Sequence, residues 1–137
     1  MGQNQLLMIV LSVIVVGVSV AVGIDQFGEN AMSANRDAVA SDSQRIVSTA
    51  QQWFRKPISL GGGGGSFTNM TLADLGIGGS NHNGSYALTV DSGTQLTIVA
   101  TGTEKTASGS AVEVTLEYFA SNDSTAYDDN LESPQAL

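Results

Sequence analysis

Residues 6–24, LLMIVLSVIVVGVSVAVGI, carry no charge, and fourteen of the nineteen are large and apolar. As an α-helix the run is about 28 Å long, close to the hydrocarbon thickness of a bilayer. Fourteen such side chains, at about 1.5–3 kcal/mol each on leaving water, sum to about 20–40 kcal/mol, an upper bound that already excludes a free soluble monomer. The run must be hidden on all sides. Two surroundings do that: lipid, or a ring of other copies of the same helix. They are nearly equivalent for an aliphatic side chain, so passage from one to the other costs little.

Ten of these residues are β-branched, and Gly17, Ser19 and Gly23 stand among them, so helix propensity in water is mediocre. Away from water the backbone must bond to itself, and a helix follows, weakest over 17–23. The pattern then changes without a break. Over 25–54 the residues Phe27, Ala31, Ala34, Ala38, Val39, Ile46, Ala50 and Trp53 recur at spacings of three and four. Asp42 and Ser43 interrupt this stripe, while Glu29, Asn30, Arg36, Asp37 and Arg45 occupy other faces. With no proline before Pro57, one helix is expected over about 3–55, about 80 Å long. It is apolar all round over 1–24 and only along a stripe over 25–56.

Pro57 stops the helix, and 57–80 reads as a loop holding five glycines at 61–65 and three more at Gly76, Gly78 and Gly79. Five consecutive glycines make either a flexible linker or a backbone pressed where no Cβ fits, and both readings stay open. A short helical turn is expected over 71–75. Over 81–120 the period changes to two: Tyr86, Leu88 and Val90, then Leu96, Ile98 and Ala100, then Val112, Val114, Leu116 and Tyr118 alternate with polar or small residues. Ser92-Gly93 suits a tight hairpin, and 102–110 is a longer polar connection.

The expected fold is therefore α+β: a long helix whose second half covers an antiparallel meander of three strands or four. Phe27, Ile46, Trp53 and Phe54 on the helix should meet Leu88, Leu96, Ile98, Val114 and Leu116 on the sheet. Residues 121–137, with Asp123, Asp128, Asp129 and Glu132, read as an acidic tail or edge segment.

Thirteen acidic residues against five basic give a formal charge of -8, which excludes a phosphate-binding, nucleic-acid partner. The acidity suits a surface that stays soluble when many copies crowd together, and a salty habitat. There is no cysteine, hence no disulfide and no thiolate site. His82, the single histidine, lies in SNHNGS without a nearby acid, and reads as a surface residue and not as a base. No metal-ligand spacing, no serine–histidine arrangement and no phosphate loop occurs, so a non-enzymatic protein with no cofactor is expected. Sequons at Asn69, Asn83 and Asn122 place those residues on the surface, as glycan acceptors where a host has the enzymes. The aspartates of the tail lack ordered calcium-ligand spacing. No aromatic precedes Phe27, which argues against a continuous aromatic conduction path.

The start MGQNQ has no positive residue, a poor fit to a secretory signal. The first bases, Arg36 and Arg45 onward, would vote for a cytoplasmic C-terminal side, but Asp25, Glu29, Asp37 and Asp42 are interleaved and most of these bases lie too far from the run to count.

A short polar start, an apolar helical half, an amphipathic half, a glycine-rich connection and a small sheet, in that order, resemble a type IV pilin or a close relative. The likeness of build covers nearly the whole chain; the specific motif covers only its beginning. That family commonly opens with Phe or Met, a few polar residues, and a Glu at the fifth position; here Met1 is followed by Gln5. Because Gln offers only hydrogen bonds, an ion pair to a neighbour's terminal amine is not available at that position. A processed chain starting at Met1, cleavage after Gly2 that leaves Gln3 first, and an uncleaved chain all remain open.

The resemblance implies a structural subunit of an extracellular helical filament, serving adhesion, motility or biofilm. The subunit would wait in the membrane, and an assembly ATPase and a membrane platform would extend the polymer. Gln3, Gln5, Leu6, Leu7, Ile9, Leu11, Ile14, Val15, Val18 and Val22 would then form the polymerisation core. The rivals are a pseudopilin of a secretion system, similar in build, and a monomeric single-pass protein displaying a small binding domain.

Overall fold

The computed structural model describes residues 2–106 and 108–130. Helix α1 runs unbroken over Gly2–Arg55, and a 3-10 turn, Ile58–Leu60, follows it. Four strands complete the fold: β1 Gly84–Ser92, β2 Gln95–Lys105, β3 Ala111–Phe119 and β4 Ser124–Asp129. They form one antiparallel sheet in the order β1-β2-β3-β4, and the second half of α1 lies on β2 and β3. The α+β architecture is thus the expected one.

Period-two alternation builds the inner face of the sheet. Leu96, Ile98 and Ala100 of β2 stand opposite Tyr118, Leu116 and Val114 of β3, and all six are buried. Tyr86, Leu88 and Val90 extend this face onto β1, where Leu88 and Val90 are only partly covered because the helix crosses nearer the centre. From α1 come Val39, Ile46, Val47 and Ala50, all at most 3% exposed. The break that Asp42 and Ser43 make in the stripe has two physical resolutions. Ser43 is fully buried and donates its hydroxyl to the Val39 carbonyl one turn back at 2.8 Å, so no polar atom is stranded. Asp42 reaches sideways to the loop before β1. In the apolar half Ser12 and Ser19 likewise bond back to the Met8 and Val15 carbonyls, at 2.8 Å each, and ask nothing of their surroundings.

The sheet face needs more cover than the helix gives, and the loop after α1 supplies it. Phe67 is fully buried, its ring 4.7 Å from that of Phe54 and 6.0 Å edge-on from that of Tyr118, with Met70 beside this group in the same core. Trp53 and Phe54 are partly buried against it.

The five glycines are a cap. Helix carbonyls at a C-terminus lack partners, and here Gly63 N–H bonds the Trp53 carbonyl at 2.9 Å, Gly65 N–H that of Phe54 at 2.7 Å, and Gly64 N–H that of Lys56 at 2.9 Å. A Cβ on Gly63 would overlap the Ser66 carbonyl oxygen and the Trp53 ring, and one on Gly62 would overlap the Lys56 carbonyl oxygen. Of the two readings left open, the pressed backbone holds and the linker does not.

Several expectations need correction. Phe27 is 79% exposed and does not pack on the sheet, because the head first covers α1 at about residue 31. Ala34 also faces outward. Residues 71–75 form hydrogen-bonded turns and not a helix, held by the Asp74 carboxylate, which accepts both the Thr71 N–H and its hydroxyl at 2.9 Å. The first hairpin turns at 93–94, one residue later than expected, with a bulge between Val90 and Ser92, and β2 extends to Lys105. Part of the acidic tail is strand β4, paired along its length with β3; the rest, 131–137, lies outside the described residues, as does Met1.

Both outer strands are guarded. Beside β1, Tyr86 N–H bonds the Gly79 carbonyl and Asn81 N–H that of Gly84, at 2.8 Å each, so the preceding loop covers that end. β4 is six residues long and ends in Asp128 and Asp129.

Candidate functional site

The most exposed apolar surface is the first half of α1. All fourteen large side chains of 6–24 are between 52% and 67% exposed, and its most apolar window is not buried at all. Every residue expected in a polymerisation core, Gln3 and Gln5 included, is exposed. The helix is long and apolar enough to cross a membrane. It is also continuous with the half that carries the sheet, so the head rides on a rod without a hinge.

Asn35 marks where the head begins to grip. It is 9% exposed; its Nδ2 donates to the Asn83 carbonyl at 2.8 Å and its Oδ1 accepts the Glu104 N–H at 3.2 Å, tying α1 to both sides of the β1–β2 pair. Seven residues on, Asp42 makes a second clasp. One carboxylate oxygen, Oδ2, receives Asn81 Nδ2 at 2.8 Å, Asn83 Nδ2 at 2.9 Å and the Tyr86 hydroxyl. Partial burial pushes the Asp42 carboxyl upward, but the bonds from Asn83, Tyr86 and Asn81 and the nearby Arg45 charge outweigh it, and the group ends below its ordinary value. Burial, and then the bond to Asp42, push the Tyr86 hydroxyl up to about 12.

These shifts fix how stability depends on pH. A depressed carboxyl stabilises the fold above its unfolded value near 3.8, and that contribution is lost as pH falls through the folded value. A raised tyrosine stabilises below 10, and its contribution is lost as pH climbs from 10 through about 12. Thermal melts from pH 3 to 11 should therefore show a plateau with a fall at each end. Asp42→Ala, which removes the acceptor that three donors share, should lower stability by about 2 kcal/mol and flatten the acid fall. An unchanged acid limb in that variant would show that other carboxyls set it.

Next to this clasp a cleft of about 340 Å³ is lined by Asp42, Arg45, Ile46, Ile77, Ser80 and Tyr86, among others. Asp42, Asn81 and Tyr86 bond one another in its wall. His82 lies exposed at its margin in sequence only. Among the described residues no three His, Cys, Asp or Glu side chains come together as a metal site. Asp123 instead accepts the Tyr118 hydroxyl at 2.8 Å, and Asp129 lies 3.9 Å from Arg36.

The sequons divide. Asn69 and Asn122 are exposed, whereas Asn83 is half-buried with its side-chain nitrogen bonded to Asp42, so that atom is not available to a glycan without opening the clasp. Sequence reasoning did not assign Asn35, Asp42 or Phe67 a role. The one hint was the break at Asp42 in an otherwise regular stripe.

No protein-family model, no curated protein and no solved structure matches this chain. The class therefore rests on the build: a long N-terminal apolar helix whose second half packs on a small antiparallel sheet, which is compatible with a pilin-like architecture.

Proposed function

We propose that this chain is the structural subunit of an extracellular helical filament, polymerising through the first half of α1 after waiting in a membrane. One observation carries the reading: an apolar rod exposed on every face continues, unbroken, into a head-bearing rod. A plain anchor needs the first part and not the rigid second. Opposite the sheet, α1 shows Ala34, Ser41 and Ser48, small residues that let a neighbouring helix come close. No catalytic group is assigned, and the role is mechanical.

Negative-stain microscopy of material sheared from cells tests it. Helical filaments containing this chain are expected, longer than a cell-bound stub. If the protein stays wholly in the membrane fraction and purifies as single molecules in detergent, the monomeric anchor is the correct reading. A short stub that does not shear off favours the secretion-piston relative.

A further inference from the structure

Asn83 is followed by Gly84, and the two make the one asparagine–glycine pair in the chain. Such a pair carries its own reaction. The backbone nitrogen of the glycine, with no Cβ on the next carbon to hinder it, is one ring closure away from the asparagine Cγ, and an attacking group held in the same molecule acts at high effective concentration. The nitrogen bonds to Cγ, the Cγ–Nδ2 bond breaks, and Nδ2 leaves as ammonia with the proton that the backbone nitrogen gives up. Water then opens the five-membered imide at either carbonyl. The product is aspartate or, where the chain now runs through Cγ, isoaspartate.

The fold itself requires this pair. A Cβ at position 84 would overlap the Thr101 carbonyl oxygen of β2, so glycine is needed there. Position 83 meets the Asp42 carboxylate and needs a donor, which Nδ2 supplies at 2.9 Å. Sheet and clasp together therefore place a labile dipeptide where the loop is tied to α1, and there they hold both reacting groups. Gly84 is buried and its N–H donates to Asn81 Oδ1 at 3.2 Å, the same oxygen that accepts the Asn83 N–H at 2.8 Å, while the Asn83 carbonyl accepts Asn35 Nδ2 at 2.8 Å. Ring closure has to turn the Asn83 amide away from Asp42 and free the Gly84 nitrogen, so it waits on local opening.

We propose that Asn83 is a site of spontaneous deamidation, that Asp42 is its latch, and that conversion there unties the loop from α1 irreversibly. The product cannot close the clasp again. A carboxylate at 83 has no proton to donate, and it brings a second negative charge against Asp42 where the amide had bonded it. Isoaspartate also adds a backbone atom just before Gly84, which disturbs the pairing of Gly84 with Gly102 and the bond from Asn35 to the residue 83 carbonyl. Each molecule thus keeps a record of how often its clasp has opened, whether or not the chains polymerise.

The full chain folded in detergent, and the same chain unfolded in urea, test this when both are held at mildly alkaline pH and sampled by peptide mass spectrometry. In urea Asn83 should convert ahead of the other asparagines, and in the folded chain at least about tenfold more slowly than in urea. Equal rates in the two samples would overturn the latch, and another asparagine converting first in urea would overturn the site. Asp42→Ala should raise the rate at Asn83 in the folded chain about tenfold, while the exposed Asn69 and Asn122 keep their native rates. No acceleration, or the same acceleration at all three, would overturn the part given to Asp42. The deamidated fraction of the native chain, separated by its added charge, should melt about 5 °C or more below the rest. An equal Tm would overturn the untying.

Discussion

Cells making Val15→Asp in place of the native chain should shed no filaments. Val15 lies in the middle of the apolar run, 55% exposed in the single chain, with no lysine, arginine or histidine side chain before Arg36 to pair with a new carboxylate. In a bilayer a single aspartate at mid-helix costs about 2.5–3.5 kcal/mol, which a run this apolar absorbs. In a bundle of helices the same group recurs in every copy, unpaired and away from water, where like charges also repel one another. The variant should therefore accumulate in the membrane fraction at close to the native level while sheared filaments fall by at least about a hundredfold, a difference of about 3 kcal/mol or more per subunit. Filaments at native yield would mean that the run faces lipid or water and not its own kind.

Gly63→Ala should unsettle the head as strongly as Val15→Asp should unsettle the proposed polymer. The added methyl has nowhere to go: the Ser66 carbonyl on one side and the Trp53 ring on the other are both fixed, the ring by the core and the carbonyl by the loop. Displacing the loop also breaks the bond from Gly63 N–H to the Trp53 carbonyl. Overpacking of this kind costs about 3 kcal/mol, a fall in Tm of about 15 °C for a head of this size, measurable from the Trp53 signal of the full chain in detergent. Gly17→Ala is the contrast, because a Cβ there meets nothing within 4 Å and alanine is the better helix former. A melt unchanged by Gly63→Ala would restore the flexible-linker reading of the glycine run.

The contrast between these two glycines shows where the sequence was readable. Local period was sufficient for α1, expected over about 3–55 and found over Gly2–Arg55, and for the inner faces of β2 and β3, where alternation fixed which side of each residue meets the helix. Phe27 was misplaced because its spacing from Ala31 continues the stripe, and spacing does not say where along a rod the head begins to cover it. Asn35, one turn below Val39, sets that limit through bonds to Asn83 and Glu104, partners 48 and 69 residues away that no local pattern contains. Phe67 was passed over because it sits among glycines, threonines and asparagines; its burial depends on the cap folding the chain back toward β3. β4 was read as tail because STAYDD shows one large apolar residue, and what holds it is pairing with β3 and not a greasy face of its own. The apolar half was the reverse case: its identity was plain from composition, while what surrounds it lies beyond any single chain.

The guarded outer strands bear on crowding. Bundled rods would bring many heads to a high local density, where an open ladder of amide and carbonyl groups would invite neighbouring heads to zip together into an amyloid-like mass. A loop bonded to the start of β1 on one border and a stubby, aspartate-tipped strand on the other narrow that route. In the proposed filament, growth would be left to the greasy stems, and heads would stand shoulder to shoulder as separate bodies.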